Sequence, residues 1–151
     1  MIKTLSKKEI LNIQKNREPF LMMDEVKLIS DKEIIGKKNF DDSFWVFECH
    51  WPGDPNVPAV FQTEALTQIS SMIVLSNQKY HNNTFLVVMS NNLKFKRKIT
   101  PNETLIVKSK LLYFNRGVAK FKAEGRVDDE FCCSGEFTMV LQEEISKFNK
   151  D

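Results

Sequence analysis

The chain has 151 residues and a formal net charge of +2, with 42% hydrophobic and 28% charged side chains and only five Gly and five Pro. That length suits one domain, residues 1–151, which can bury roughly 70% of its unfolded surface without metals or disulfides. The weak charge gives no footprint for nucleic acid, and the three cysteines (Cys49, Cys132, Cys133) have neither disulfide nor zinc spacing, so the cytoplasm is the simplest compartment.

Met1 to Lys8 holds no apolar core of the length a signal peptide needs. Ser6 reads as the N-cap of a short helix to about Gln14, with Ile10, Leu11 and Ile13 as its apolar stripe. Pro19 forces an extended start, Phe20 to Ile29 reads as a strand, and Glu33 to Phe40 reads as its hairpin partner across an Asp31-Lys32 turn. Residues 41–57 form a long ordered loop with Phe44, Trp45 and Phe47 ahead of His50. Pro58 suits a first helical turn, and Phe61, Ala65, Leu66, Ile69, Met72, Ile73 and Leu75 keep helical spacing to about Asn77.

A polar connection from Tyr80 to Thr84 follows, with His81 as a loop residue. Phe85 to Met89 and Leu93 to Lys96 read as two strand runs. Thr104 to Tyr113, Val118 to Val127 and Phe131 to Leu141 are strands separated by turns at Pro101-Asn102-Glu103, Asn115-Arg116-Gly117 and Asp128-Asp129. The last ten residues are polar and expected to fray.

Between Asp54 and Lys79 the only charged side chain is Glu64. Gln62, Thr67, Gln68, Ser70 and Ser71 in the same stretch argue against a membrane span, because each would need a partner in lipid. A helix with almost no charge to solvate is wrapped by protein, and one strongly bent antiparallel sheet supplies the wrapping. The expected class is α+β, a curved sheet around a long central helix.

In that setting Glu64 is buried or at the floor of a cleft, where desolvation favours the neutral acid and suits it to give up a proton. His50, on the Pro/Gly-stiffened loop Cys49-His50-Trp51-Pro52-Gly53-Asp54-Pro55, can take or give a proton near neutral pH. The free N–H groups of the helix start around Ala59 and Val60 can stabilise a developing oxyanion. Two readings remain open on the residues alone. Either His50 and Glu64 are an acid–base pair, or His50 is a satisfied structural histidine and Glu64 a network or interface residue. Cys49 points away from His50 on extended backbone and is not read as a nucleophile.

The segments Pro19-Phe20-Leu21-Met22-Met23-Asp24-Glu25-Val26 and His50-Trp51-Pro52-Gly53-Asp54-Pro55-Asn56-Val57-Pro58-Ala59-Val60-Phe61-Gln62-Thr63-Glu64-Ala65-Leu66-Thr67-Gln68 resemble the bacterial 3-hydroxyacyl-ACP dehydratases of fatty-acid synthesis, and the likeness continues through Leu93-Lys94-Phe95-Lys96 and Pro101-Asn102-Glu103. The resemblance implies a hotdog fold and a homodimer whose sites take His50 from one subunit and Glu64 from the other, with further assembly to a trimer of dimers common in the family. It implies elimination of water from a (3R)-hydroxyacyl chain on the phosphopantetheine of acyl carrier protein, giving a trans-2-enoyl thioester, with no metal or organic cofactor. His50 would remove the α-proton and Glu64 would protonate the leaving hydroxyl. Ala59, Val60 and Phe61 at the helix start and Met89 on the channel strand would bind substrate.

The chain departs from the family pattern at four places. Ala59 and Met89 stand where Gly is usual and would narrow the acyl channel, Cys49 replaces another Gly, and the basic pair before Pro-Phe is reduced to Asn16-Arg17. Lys94, Lys96, Arg97 and Lys98, with Arg17 near, form either a basic rim that steers an acidic carrier protein or a lysine-rich strand edge kept from aggregating. Two other functions fit the same framework: a hotdog thioesterase in which the helix carboxylate activates water, and a non-catalytic acyl-ACP-binding dimer.

Overall fold

The computed structural model describes residues 2–80 and 84–147, with the side chains of 146 and 147 excepted. His81 therefore lies outside the described residues, as do 148–151. In chain order the elements are β1 (Lys3–Leu5), α1 (Lys7–Leu11), β2 (Glu25–Leu28), β3 (Glu33–Phe40), α2 (Ala59–Leu75), β4 (Leu86–Phe95), β5 (Glu103–Asn115), β6 (Val118–Val127) and β7 (Glu130–Leu141). Short 3-10 turns lie at Trp45–Glu48, Gln78–Tyr80 and Gln142–Lys147. All seven strands join one antiparallel sheet in the order β1-β2-β3-β5-β6-β7-β4.

The α+β expectation holds: the sheet curves around α2, which packs on β3, β5, β6, β4 and β7. Thirteen of the helix's 17 residues are buried, as an almost uncharged helix requires. Its polar side chains find partners inside. Ser70 Oγ bonds Ser109 Oγ at 2.6 Å, and Gln14 Nε2 donates to Ser71 Oγ at 3.2 Å. Gly36 of β3 permits the close approach, since a Cβ there would sit 2.7 Å from Ile69 Cγ2.

Local chemistry sets most boundaries. Ser6 caps α1 as expected, its backbone N–H and hydroxyl both donating to the Glu9 carboxylate at 2.9 and 2.8 Å. The helix is shorter than the pattern suggests, because Arg17 caps its end by donating to the carbonyls of Leu11 and Gln14.

The expected strand over Phe20 to Ile29 is corrected to Glu25–Leu28. Leu21, Met22 and Met23 are all fully buried rather than alternating, and the Phe20–Met22 backbone bonds the Gln68 side chain instead of a neighbouring strand. The two runs expected over 85–96 are one strand, β4, with a bulge that leaves Met89 without a cross-strand partner. Residues 142–147 turn back onto the fold: Gln142 N donates to the Phe85 carbonyl at 3.0 Å, and Thr84 bonds Glu143.

The sheet's two margins differ. β1 is three residues long, whereas β4 presents ten, with Phe85, Val88, Met89 and Phe95 exposed on or beside it.

Candidate active site

The 3-10 turn Trp45–Glu48 delivers the chain to His50, whose backbone N–H donates to the Val46 carbonyl at 2.8 Å. The loop then folds on itself through Asp54 N to the Trp51 carbonyl and Asn56 N to the His50 carbonyl, with Gly53 at φ +85° in the tight turn. His50 Nδ1 lies 3.1 Å from the Asn56 carbonyl oxygen. A carbonyl only accepts, so Nδ1 carries the hydrogen of this contact. His50 is half-buried, and the Trp51 ring lies beside the imidazole with centroids 4.7 Å apart at 34°.

Glu64 sits on the second turn of α2, half-buried, and lines a cleft of about 410 Å³ with Thr67, Gln68, Ser71 and Leu75 of the helix. The opposite wall is Phe85 to Val88, at the start of β4, and Gln14 to Asn16 close one end. Gln68 Nε2 donates to Glu64 Oε1 at 2.6 Å and to the Phe20 carbonyl at 2.9 Å, while Gln68 Oε1 accepts from Met22 N. Glu64 Oε2 has no hydrogen-bond partner among the described residues. The Gln68 amide fixes one carboxyl oxygen.

At the start of α2, Phe61 N and Gln62 N both donate to the Pro58 carbonyl. The Ala59 and Val60 N–H groups have no backbone acceptor among the described residues, as is usual for a first helical turn, and Val60 is 63% exposed. This end of the helix therefore offers two amide donors and the positive end of its dipole at the surface.

The expected site residues divide. Within one chain, His50 is not among the residues lining the cleft that holds Glu64. Phe61 is buried in a cluster with Phe20, Phe44 and Trp45, so its ring stiffens the helix entry and takes no part in the cleft. Met89 projects from the bulge, half exposed, and does not line the cleft either. Arg17 is spent on three backbone carbonyls.

The basic cluster splits in the same way. Lys94 and Lys96 stand exposed on or just after β4, without an ion pair among the described residues. Arg97 grips Glu103 with both terminal nitrogens (2.9 and 2.7 Å) and Glu130 with Nε, and this pairing holds the Glu103 carboxyl down at about 2. Lys98 pairs with Asp54. Gln68, Asn56 and Lys98 are the contributors that sequence reasoning gave no site role, or a different one. Only the short Glu-Ala-Leu-Thr-Gln spacing, which puts Gln68 one turn above Glu64, could have pointed to the first.

A family model described as a FabA-like domain matches residues 15–136. Curated relatives include the 3-hydroxyacyl-[acyl-carrier-protein] dehydratase FabZ of Ralstonia nicotianae, 33% identical over 93% of this chain and 88% of its own length. That of Syntrophomonas wolfei is 28% identical over 91% of this chain and 96% of its own. The chain belongs to the FabA-like dehydratase family. Among solved structures, the dehydratase heterocomplex ApeI:P from Xenorhabdus doucetiae matches with a TM-score of 0.75 at 12% identity, covering 94% of this chain and 97% of that one. A mutant thioesterase from Pseudomonas aeruginosa matches at 0.66 and 15%, covering 92% and 95%. These neighbours share the hotdog fold, and at such identities they speak to the fold alone.

Proposed function

We propose that this dehydratase eliminates water from (3R)-hydroxyacyl chains carried on the phosphopantetheine of acyl carrier protein, in fatty-acid synthesis or a related lipid or secondary-metabolite pathway. His50 Nε2 takes the α-proton, and the electrons released form the trans-2 double bond as the β-hydroxyl departs. Glu64, in its acid form, gives the departing oxygen the proton that makes it water. The thioester oxygen gains negative charge in between, and the Ala59 and Val60 amides stabilise it. Acid–base chemistry of this kind calls for no metal or organic cofactor. Among the described residues no helix is long and apolar enough to cross a membrane.

One observation carries the reading: in a chain of this family, a half-buried carboxylate with one oxygen tied by Gln68 lines a cleft walled by the edge strand β4, whose outer margin pairs with no strand among the described residues. An edge strand of ten residues with exposed apolar side chains is a template for pairing. A second copy docked along β4 is the arrangement by which one chain's His50 would approach the other's Glu64, and sedimentation reads out both the dimer and any trimer of dimers.

Enoyl absorbance on a 3-hydroxyacyl-ACP tests the chemistry. His50→Ala and Glu64→Gln should each lower turnover by at least about a hundredfold, the scale of acid–base catalysis, with folding retained. Mixing the two inactive variants under verified subunit exchange should restore one working site per heterodimer. Wild-type rates in either variant, or steady release of free thiol from an acyl thioester lacking the 3-hydroxyl, would remove the lyase assignment.

A further inference from the structure

We propose that Lys98 is a positioning residue for His50, holding the histidine loop through Trp51 and Asp54; the inference rests on the dehydratase reading of His50. The Lys98 ammonium pairs with Asp54 Oδ2 at 2.5 Å and lies 5.4 Å from the centroid of the Trp51 ring. The same indole lies along the His50 imidazole. Lys98 thus touches the loop on both sides of the Gly53 turn, and one of those touches reaches the imidazole through a single ring.

The loop has need of such a hold. Trp51 is 52% exposed, and among the described residues its ring contacts are His50 and Lys98. A half-exposed indole is poorly fixed by packing, and a cation near its ring supplies a restraint. Among the described residues the imidazole in turn has one hydrogen bond, at Nδ1, which leaves it free to rock about that axis unless its face is supported.

The hold is anchored at its other end. Arg97, adjacent to Lys98, is fixed to Glu103 at the start of β5 and Glu130 at the start of β7, and its Nη1 donates to the Lys98 carbonyl at 2.8 Å. The next residue, Ile99, accepts from Val57 N at 2.8 Å. Residues 97–99 therefore form a strap that is tied to the sheet on one side and to the loop between His50 and α2 on the other. A basic residue that steers carrier protein would project freely into solvent, as Lys94 and Lys96 do. Lys98, although its side chain is 53% exposed, is held against the loop by Asp54 and Trp51.

Steady-state kinetics on two substrates test this: one 3-hydroxyacyl group carried on acyl carrier protein, and the same group on N-acetylcysteamine. Lys98→Ala should lower kcat about tenfold on both, since a small misplacement of a reacting group costs that order, with KM changed less than about twofold. Lys98→Arg, which can pair with a carboxylate and stack on an indole, should recover most of the loss. The heteronuclear NOE of the Trp51 indole N–H should fall in Lys98→Ala and return in Lys98→Arg.

An unchanged kcat in Lys98→Ala would overturn the positioning role. So would a rise in KM confined to the carrier-protein substrate, which marks a docking lysine. Wild-type protein without turnover, or His50→Ala with full turnover, would overturn the dehydratase reading and the positioning role together.

Discussion

Gln68 serves two ends at once. Its side chain satisfies Met22 N–H and the Phe20 carbonyl, and the same amide nitrogen orients Glu64. Leaving a buried backbone group unpaired costs about 1–3 kcal/mol. Gln68→Leu should therefore lower the urea midpoint with m unchanged, and should also lower kcat by releasing the carboxyl of Glu64. Denaturation curves and turnover measured on one preparation check both. His50 and Glu64 stood out in sequence as candidates, because a lone acid in an uncharged helix and a histidine in a Pro/Gly loop are local patterns, whereas their pairing rests on the family resemblance. Gln68 and Lys98 were less so: their partners lie 46 and 44 residues away in the chain, a separation that spacing rules do not reach. Arg97 looked like free surface charge for two reasons: Glu130 arrives 33 residues on, from β7, and Glu103, only six residues away, reaches it across the turn before β5.

Among the elements, α2 and β3 matched expectation because burial and pattern agreed. Apolar spacing plus a missing charge face specifies a core helix, and Pro58 marks its entry. Phe20 to Met23 failed because a helix side chain took over the hydrogen bonds that a neighbouring strand would have made, and β4 looked like two runs because the bulge at Met89 interrupts alternation. One close joint between helix and sheet is Gly36 against Ile69. A methyl at Gly36 would meet three Ile69 carbons within 2.9 Å, so Gly36→Ala should cost about 1–3 kcal/mol through overpacking. Combining it with Ile69→Val should return part of that loss, and a double-mutant cycle by thermal unfolding measures the coupling.

Across the whole molecule, the Arg97 junction joins β5, β7 and the strap behind the histidine loop, and its acid-sensitive member is Glu103. Hydrogen bonding to Arg97 depresses that carboxyl from 4.5 to about 2. A folded value below the unfolded one means the stabilisation is complete above about pH 4.5 and drains away as pH falls toward 2. The carboxylate is partly exposed, so solvent screening trims the contribution to about 1 kcal/mol. Acid unfolding followed by circular dichroism should show Glu103→Gln less stable than wild type at pH 7, with the difference shrinking steadily below pH 4.5. The two unequal margins of the sheet bear on how far association can go. A ribbon whose one border is a three-residue stub and whose other is a long open strand can be extended once, back to back, and then has no sticky end left, so crowding the protein favours a finite particle over a growing fibre.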